Sequence, residues 1–504
     1  MTLVVVGASL AGLRAVESAR RTGYRGRIVL VGAEEHLPYD RPPLSKAFLA
    51  AGGPRVVEPF HSEEVLRGEL GVELMLGAPA ESLDTDVREV TVAGTAVRYD
   101  ALVIATGATA RRLPGAHSLR TAEDAFAVRA ALDRGARTVV VGAGFIGAEV
   151  ASAARARGLP VTIVEAAPVP LARAVGETAG AVLAGLHHAA GTDLRLGTEV
   201  EAVVAGGVRL AGGEGRLGSG VGGVVAGGEG RFGFEADAVV AGGVRLAGGE
   251  GRFGSEVEAV VAGGVRLAGD EARLGTGVGG AVAGGVRLAG SEGQLGSGVG
   301  GAVAGGVRLA GGEGRFGSEV EAGVAGGVRL VGGEVLPADL VVAGIGAAPA
   351  TGWLEGSGVP LHPRDRGVVC DATLAAGPPG VYAAGDVAHV ANPLFDGEPM
   401  RLEHWTSAAE QGAAAARHAL DPASARAVAT VPYFWSDWYG HRVQFVGTPH
   451  ADEVVTTGDV TLYRRGERIV GALTVDRPRE IMKYRRRIAA RGRWAEALDF
   501  AGTA

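Results

Sequence analysis

The sequence predicts an α/β fold of about three domains, two of them three-layer βαβ units, with a β-rich tandem repeat set into the second. Three observations carry this. A strand, a glycine turn and a helix follow one another twice, once at the start and again near residue 138. The 504 residues exceed one ordinary domain of about 100–200 residues. Glycine, 86 residues in all, is concentrated in one central stretch.

The first unit opens with the apolar strand Thr2–Val6, turns through Gly7-Ala8-Ser9-Leu10-Ala11-Gly12 and continues as a helical run to Thr22. Gly7 permits the tight turn, and Gly12 lets the helix approach the strand. The first helical N–H groups, at the positive end of the dipole, then suit a pyrophosphate. Gly7, Ser9, Leu10, Ala11 and Gly12 are therefore candidate nucleotide contacts, with Ser9 in place of the usual middle glycine. The next strand, Ile28–Val31, runs out toward Glu34 and Glu35. A carboxylate at that tip accepts hydrogen bonds from ribose hydroxyls; Glu34 is favoured, with Glu35 as the alternative.

The second unit matches the dinucleotide fingerprint in full. Strand Thr138–Val141 leads into Gly142-Ala143-Gly144-Phe145-Ile146-Gly147, a helix follows, and strand Val161–Val164 ends at Glu165, eighteen residues after Gly147. Gly142, Gly144, Phe145, Ile146, Gly147 and Glu165 are the candidates here. A carboxylate at this place bonds a 2′-OH and repels a 2′-phosphate, which predicts NADH over NADPH. Two Rossmann-like dinucleotide-binding units imply two nucleotides, one of which can be a flavin, since hydride transfer needs two stacked rings.

Composition narrows the classes. Hydrophobic residues make up 47%, enough for buried cores and outside the disordered range. The sequence contains no apolar run of about 18 or more residues, so no membrane span is expected. The opening residues lack a basic region before the apolar stretch, which points to the cytoplasm. A net charge of -7 gives no reason to expect nucleic acid. One cysteine, Cys370, excludes a redox disulfide within the chain and a cysteine-based metal site; no metal is expected.

From Gly197 to Pro337 a 21-residue unit recurs in seven copies, one shortened to 15, and holds 46 of the 86 glycines. Each copy reads as a hairpin turning at a Gly-Gly pair such as Gly206-Gly207, with a short third strand. Stacked copies would form a β-meander or a solenoid. The start of the first copy joins smoothly to the end of the last, so removal of 120 residues would leave 384 residues and one hairpin. An in-frame expansion without a function of its own explains this better than a binding surface, because the repeat has no Trp, Tyr or Lys and four Phe.

Further motifs resemble the FAD-dependent pyridine-nucleotide oxidoreductases and, within them, the ferredoxin reductases of the putidaredoxin, rubredoxin and biphenyl-dioxygenase type. Arg41-Pro42-Pro43-Leu44-Ser45-Lys46 is similar to a segment of that family that lies on the FAD. The resemblance implies that Arg41, Ser45 and Lys46 contact cofactor, and that Glu149 faces Lys46 where NADH docks; Lys46 and Glu149 are the candidate catalytic pair. Ala105-Thr106-Gly107 resembles the segment closing over the FAD, with Arg111 or Arg112 as weaker contacts. Gly385-Asp386 resembles the second FAD signature, whose aspartate bonds the ribityl chain, and Trp405, with Gln411 beyond it, the helix lining the isoalloxazine. Gly346 is counted with the cofactor-binding positions. Pro432–Asp437 is similar to the opening of a C-terminal domain, although Trp438 stands where glutamine is usual, which puts a polar contact there in doubt. Ala33 occupies the place where relatives often carry the acidic ribose ligand, so Glu34 must serve instead.

The expected architecture is FAD-binding sequence at 1–110 and 347–425, an NAD-binding domain at 111–346 containing the repeat 197–337, and a C-terminal α+β interface domain at 426–504. The expected activity takes hydride from NADH onto FAD and passes electrons to a ferredoxin-type iron–sulfur protein serving an oxygenase or P450. Eight Arg or Lys and one acid between Arg477 and Arg493 suggest a basic docking face around Arg485, Arg486 and Arg487. The competing readings are an NADH oxidase or other-acceptor reductase, and a redox-inert FAD- and NADH-binding protein assembled through its repeat.

Overall fold

The computed structural model describes residues 1–204 and 326–503. The hairpin, meander and solenoid readings of the repeat concern mainly 205–325 and lie outside the described residues.

The first unit contains β1 (Thr2–Val6), α1 (Leu10–Arg21), β2 (Arg27–Val31), β3 (Val72–Met75) and β4 (Ala101–Ile104). All pairings are parallel, and the central strands are unbroken apolar runs because helices or other strands cover both faces. The register aligns their ends: Val6 pairs with Val31 and with Ile104, and Val31 with Met75. The glycine turn, the Glu34 tip and Ala105–Gly107 thus emerge together, at the carboxyl edge where open parallel sheets bind ligands.

The second unit runs α2 (Ala122–Asp133), β5 (Thr138–Val141), α3 (Phe145–Ala156), β6 (Val161–Val164), α4 (Ala172–Ala189) and β7 (Asp193–Arg195). It is followed by β8 (Val200–Val204), β9 (Gly327–Leu330), β10 (Val335–Pro337) and β11 (Leu340–Ala343). Strands β7, β6, β5 and β11 form a parallel sheet, in which Val141 pairs with Val164 and with Ala343. A Cβ on Gly147 would run into the carbonyl oxygen of Gly142, and Gly12 meets Gly7 in the same way. At both positions the helix approaches its own turn too closely for a side chain.

Strand β8, from the first copy of the repeat, pairs antiparallel with β9 from the last, and the ladder ends at Val204 opposite Gly327. The chain leaves the sheet and returns to it at facing positions. Deleting 205–324 would join Val204 to Ala325-Gly326-Gly327, the same residues that follow Val204 in the first copy. Ala-Gly would then close a two-residue hairpin on the existing Val204–Gly327 pair, where the sequence reading had placed the turn at Gly-Gly. We expect this shortened chain to fold and to melt within a few degrees of the full one, because closing a shorter loop costs less entropy. Insolubility, or a much lower melting temperature, would show that the extra copies support the fold.

Strand β12 (Val381–Ala383) returns to the first sheet beside β4, with Ala383 opposite Ile104, and α5 (Trp405–Leu420) packs on α1. Gly385 and Asp386 therefore join the same carboxyl edge. The C-terminal domain is α+β: an antiparallel sheet of β13 (Tyr433–Trp438), β14 (His441–Gly447), β15 (Glu453–Thr457), β16 (Val460–Arg465) and β17 (Arg468–Val475), with α6 (Pro478–Ala489) and α7 (Trp494–Thr503). Helix α6 buries Ile481, Tyr484 and Ile488, one helical face at spacings of three and four. No helix among the described residues is long and apolar enough to cross a membrane.

At the seam between α4 and the C-terminal domain, His187 Nδ1 lies 2.7 Å from the Tyr439 hydroxyl, which also accepts a hydrogen bond from Thr192. Burial, with His188 nearby, holds the His187 imidazole down at about 4 against an ordinary 6.5. The unfolded chain takes up this proton first as pH falls. The contribution of neutral His187 to stability is thus complete above about pH 6.5 and is lost progressively toward pH 4. We expect the melting temperature to fall between pH 6.5 and 4.5, less steeply in His187→Asn than in the wild type. Parallel curves would contradict this.

Candidate active site

The carboxyl edge of the first sheet faces α3 across a cleft of about 760 Å³, within the range of cofactor sites. It gathers the first glycine turn, Glu34, the 39–46 segment, Ala105–Ala110, the first turn of α3, Gly385–Asp386 and Trp405. Gly142, Gly144, Gly147, Glu165 and Gly346 belong to the second edge and stand outside this cleft, as do Gly12, beneath its turn, and Glu35.

Pro42 and Pro43 hold residues 42–45 in a 3₁₀ turn, with the Lys46 N–H donating to the Pro43 carbonyl at 3.1 Å. Phe48 and Leu49 beyond it are buried and anchor the segment. This sets Ser45 and Lys46 against Glu149, one turn into α3. Glu149 is 3% exposed. Its Oε1 lies 2.7 Å from Lys46 Nζ and accepts from the Ser436 hydroxyl and, at 3.4 Å, from the Asp437 N–H. Its Oε2 accepts from the Ser45 hydroxyl at 2.5 Å. Burial of a charge is tolerable only with such a complete set of partners. The pair expected from resemblance is thus formed; Ser436, its further donor, was not anticipated.

Glu34 rather than Glu35 faces the cleft. Its two oxygens accept from the Tyr39 hydroxyl at 2.6 Å and from Arg41 at 2.5 Å. Arg41 also donates to Ser9 Oγ at 3.3 Å and to the Arg120 carbonyl at 2.7 Å. The serine in place of the middle glycine therefore has a partner of its own, and its small side chain fits the turn.

Asp386 Oδ2 accepts from Arg120 at 2.9 Å. Arg120 carries no sequence signal beyond standing just before the Thr121 cap of α2, whose capping box with Asp124 fixes the backbone there. Of the two arginines named as weaker contacts, Arg112 lines the cleft, whereas Arg111 bonds the Gly346 carbonyl through its own N–H at 2.9 Å. Gln411 Oε1 accepts from the Gly385 N–H at 2.9 Å, and Thr106 donates to the Ala350 carbonyl at 2.8 Å. Trp405, at the cleft wall, donates from its indole to Asp40 at 2.8 Å, which fixes its ring plane. Beside it His404 lines the cleft, and burial lowers its imidazole to about 4.

On the second edge, Glu165 accepts from the Ala143 N–H at 2.7 Å and the Ala167 N–H at 2.8 Å. An ionised carboxylate has about four acceptor positions, so ribose hydroxyls still have places. Cys370 is buried, and its thiol is pushed up to about 12 by burial and by Asp371, which leaves it a structural thiol.

His362, Asp365 and His389 bring their ligand atoms within 4.8 Å of one another. Asp365 is already engaged by Arg401 at 2.8 Å, and Arg401 continues to the Asp386 carbonyl at 3.0 Å. The two imidazoles stack at 4.2 Å and 15°, a parallel arrangement whose in-plane lone pairs do not converge on one ion. The cluster is thus a brace behind Asp386.

On the basic helix, Arg485 pairs with Glu410 at 3.1 Å and the Arg487 guanidinium lies 4.3 Å over the Phe500 ring. Arg486 between them is exposed. The three-arginine face of the sequence reading therefore contracts, because the outer two also serve the fold.

The profile of the pyridine nucleotide-disulphide oxidoreductases matches residues 1–246 and 306–412, and that of the reductase C-terminal domain 433–500. Rhodocoxin reductase of Rhodococcus erythropolis is 39% identical over 209 residues, 40% of this chain and 49% of its own length, so the match spans about half of that relative. The ferredoxin–NAD(+) reductase component of the anthranilate 1,2-dioxygenase system of Burkholderia cepacia is 28% identical across 97% of this chain and 94% of its own. The crystal structure of Fdr9 superposes with a TM-score of 0.68 at 32% identity, covering 98% of this chain and 95% of that one. This chain belongs to the pyridine nucleotide-disulphide oxidoreductase family.

Proposed function

We propose that the protein is an NADH-dependent flavoprotein reductase that delivers electrons to a ferredoxin-type iron–sulfur protein in the cytoplasm, with FAD-binding segments 1–110 and 347–425, an NAD-binding domain 111–346 and an interface domain 426–504. The observation that carries this is the buried Lys46–Glu149 pair where the first turn of α3 meets the cleft of the first sheet. A flavin bound there would supply acceptance of a hydride and its release as single electrons.

The chain's own groups divide the work. The first glycine turn and the N-terminus of α1 receive a pyrophosphate, and Glu34 a ribose. Asp386 accepts from ribityl hydroxyls, and Trp405 flanks the ring. Lys46, held in place by Glu149, favours electron density on a reduced ring, while the second glycine turn and Glu165 orient NADH and oppose a 2′-phosphate. The acceptor follows from two supports. Cys370 is the one cysteine and is buried, so electrons have no thiol route within the chain. Several relatives, moreover, are named as rhodocoxin, ferredoxin–NAD(+) and rubredoxin–NAD(+) reductases.

Anaerobic titration of the purified protein with NADH, followed in the visible, tests the reading. A flavin band that bleaches with NADH and returns when an oxidised ferredoxin is added is expected. Protein that stays colourless after incubation with FAD, or a band that NADH leaves unchanged, would overturn it. For the docking face, Arg486→Glu should raise the KM for ferredoxin about two- to tenfold at low salt and leave bleaching by NADH unchanged. An unchanged KM rejects Arg486 as a docking residue.

A further inference from the structure

Trp438 departs from the glutamine usual at the end of its strand. In β13 the side chains alternate, so Phe434, Ser436 and Trp438 share the buried face. That face meets α3 at its own period: Phe145 packs on Phe434 with centroids 4.5 Å apart, Glu149 takes Ser436, and Ser152 accepts from the Tyr439 N–H at 3.0 Å. Trp438 is fully buried with its ring 4.9 Å from His187, and its indole N–H donates to Ser436 Oγ at 2.8 Å.

A serine hydroxyl has one proton and two lone pairs. With the indole N–H on a lone pair, the Ser436 proton is left for Glu149. Ser436 is 0% exposed, so no bulk water competes for the hydroxyl. A hydroxyl that accepts one hydrogen bond also donates a stronger one.

We propose that Trp438 is a positioning residue for hydride transfer, acting through Ser436 on Glu149 and through Glu149 on the Lys46 ammonium. The proposal rests on the flavin reductase reading.

The test is a double-mutant cycle of Trp438→Phe, which keeps an aromatic ring without the donor, and Ser436→Ala, which removes the relay. Two readouts are taken. The first is the single-turnover rate of flavin reduction by NADH with the Kd for NADH. The second is the acylation rate of Lys46 by acetic anhydride in protein freed of flavin, read by peptide mass spectrometry. Each single variant should slow reduction about two- to tenfold with Kd unchanged, as for the loss of one buried hydrogen bond, and should speed acylation of Lys46. The double variant should match Ser436→Ala in both. Multiplying effects, or a Trp438→Phe protein equal to the wild type, would overturn the proposal. If Trp438→Phe does not fold, Trp438→Gln, which retains a donor, is compared with Trp438→Met, which has none; equal Lys46 acylation in the two is the contrary result. Wild-type flavin that NADH does not reduce would count against the functional reading instead, and Lys46 acylation would still decide the linkage.

Discussion

Glu149→Ala is expected to destabilise the protein by about 3–5 kcal/mol, the usual cost of removing one partner from a buried ion pair. Lys46 would lose its counter-charge in a largely enclosed place, and the hydroxyls of Ser45 and Ser436 would lose their acceptor. The measurement is the shift in the denaturant midpoint at constant slope. Replacing both members of the pair, Lys46→Met with Glu149→Leu, should recover much of the stability, because no uncompensated charge remains. Reduction by NADH should stay impaired in that double variant. The comparison therefore separates what the pair does for folding from what it does for chemistry. A Glu149→Ala protein within about 1 kcal/mol of the wild type, inside the range of one ordinary hydrogen bond, would show that the pair is neither as enclosed nor as charged as the geometry indicates.

The second large effect is expected at Asp386. It sits on the 3₁₀ turn after β12 with Arg120 as its partner and the Arg401–Asp365 brace behind it. Asp386→Ala should weaken flavin binding about 10- to 100-fold, the range for hydrogen bonds to a charged group. Flavin fluorescence recovered in the filtrate on dilution reads this directly. Arg120→Ala should have a smaller effect, since the carboxylate stays and the arginine is partly in solvent. Asp386→Ala protein that retains flavin through gel filtration as the wild type does would remove Asp386 from the site.

Both experiments concern residues that the sequence names but does not connect. The glycine turns were legible because they answer to a local demand: at Gly12 and Gly147 a helix comes back onto its own turn, and no side chain fits. Glu165 was legible for a related reason, since a strand followed by a carboxylate is a statement about one strand's end. Between Glu34 and Glu35 the sequence left a choice. In the structure Tyr39 and Arg41 grip Glu34, which lines the cleft, while Glu35 stands outside it. The pair of Lys46 and Glu149 came from resemblance alone; nothing in the spacing of those two residues says that they touch.

The partners of other residues had no signal. Arg120 reaches Asp386 because two segments far apart in the chain end at one sheet edge. Ser436 and Trp438 gain their meaning from a strand of alternating faces laid across a helix of period near 3.6. Arg485 and Arg487 read as free charge, yet Glu410 and Phe500 lie beside them once the C-terminal domain has folded. The repeat was expected within the second unit, but that its two ends face each other in one ladder follows only from β8 pairing with β9. The sequence by itself thus determined the turns, the strand ends and the carboxylates that follow them, which depend on backbone geometry within a few residues. The tertiary structure alone decided the partners of the charged and hydroxyl groups, because a buried polar atom must bond whatever the fold brings within about 3 Å.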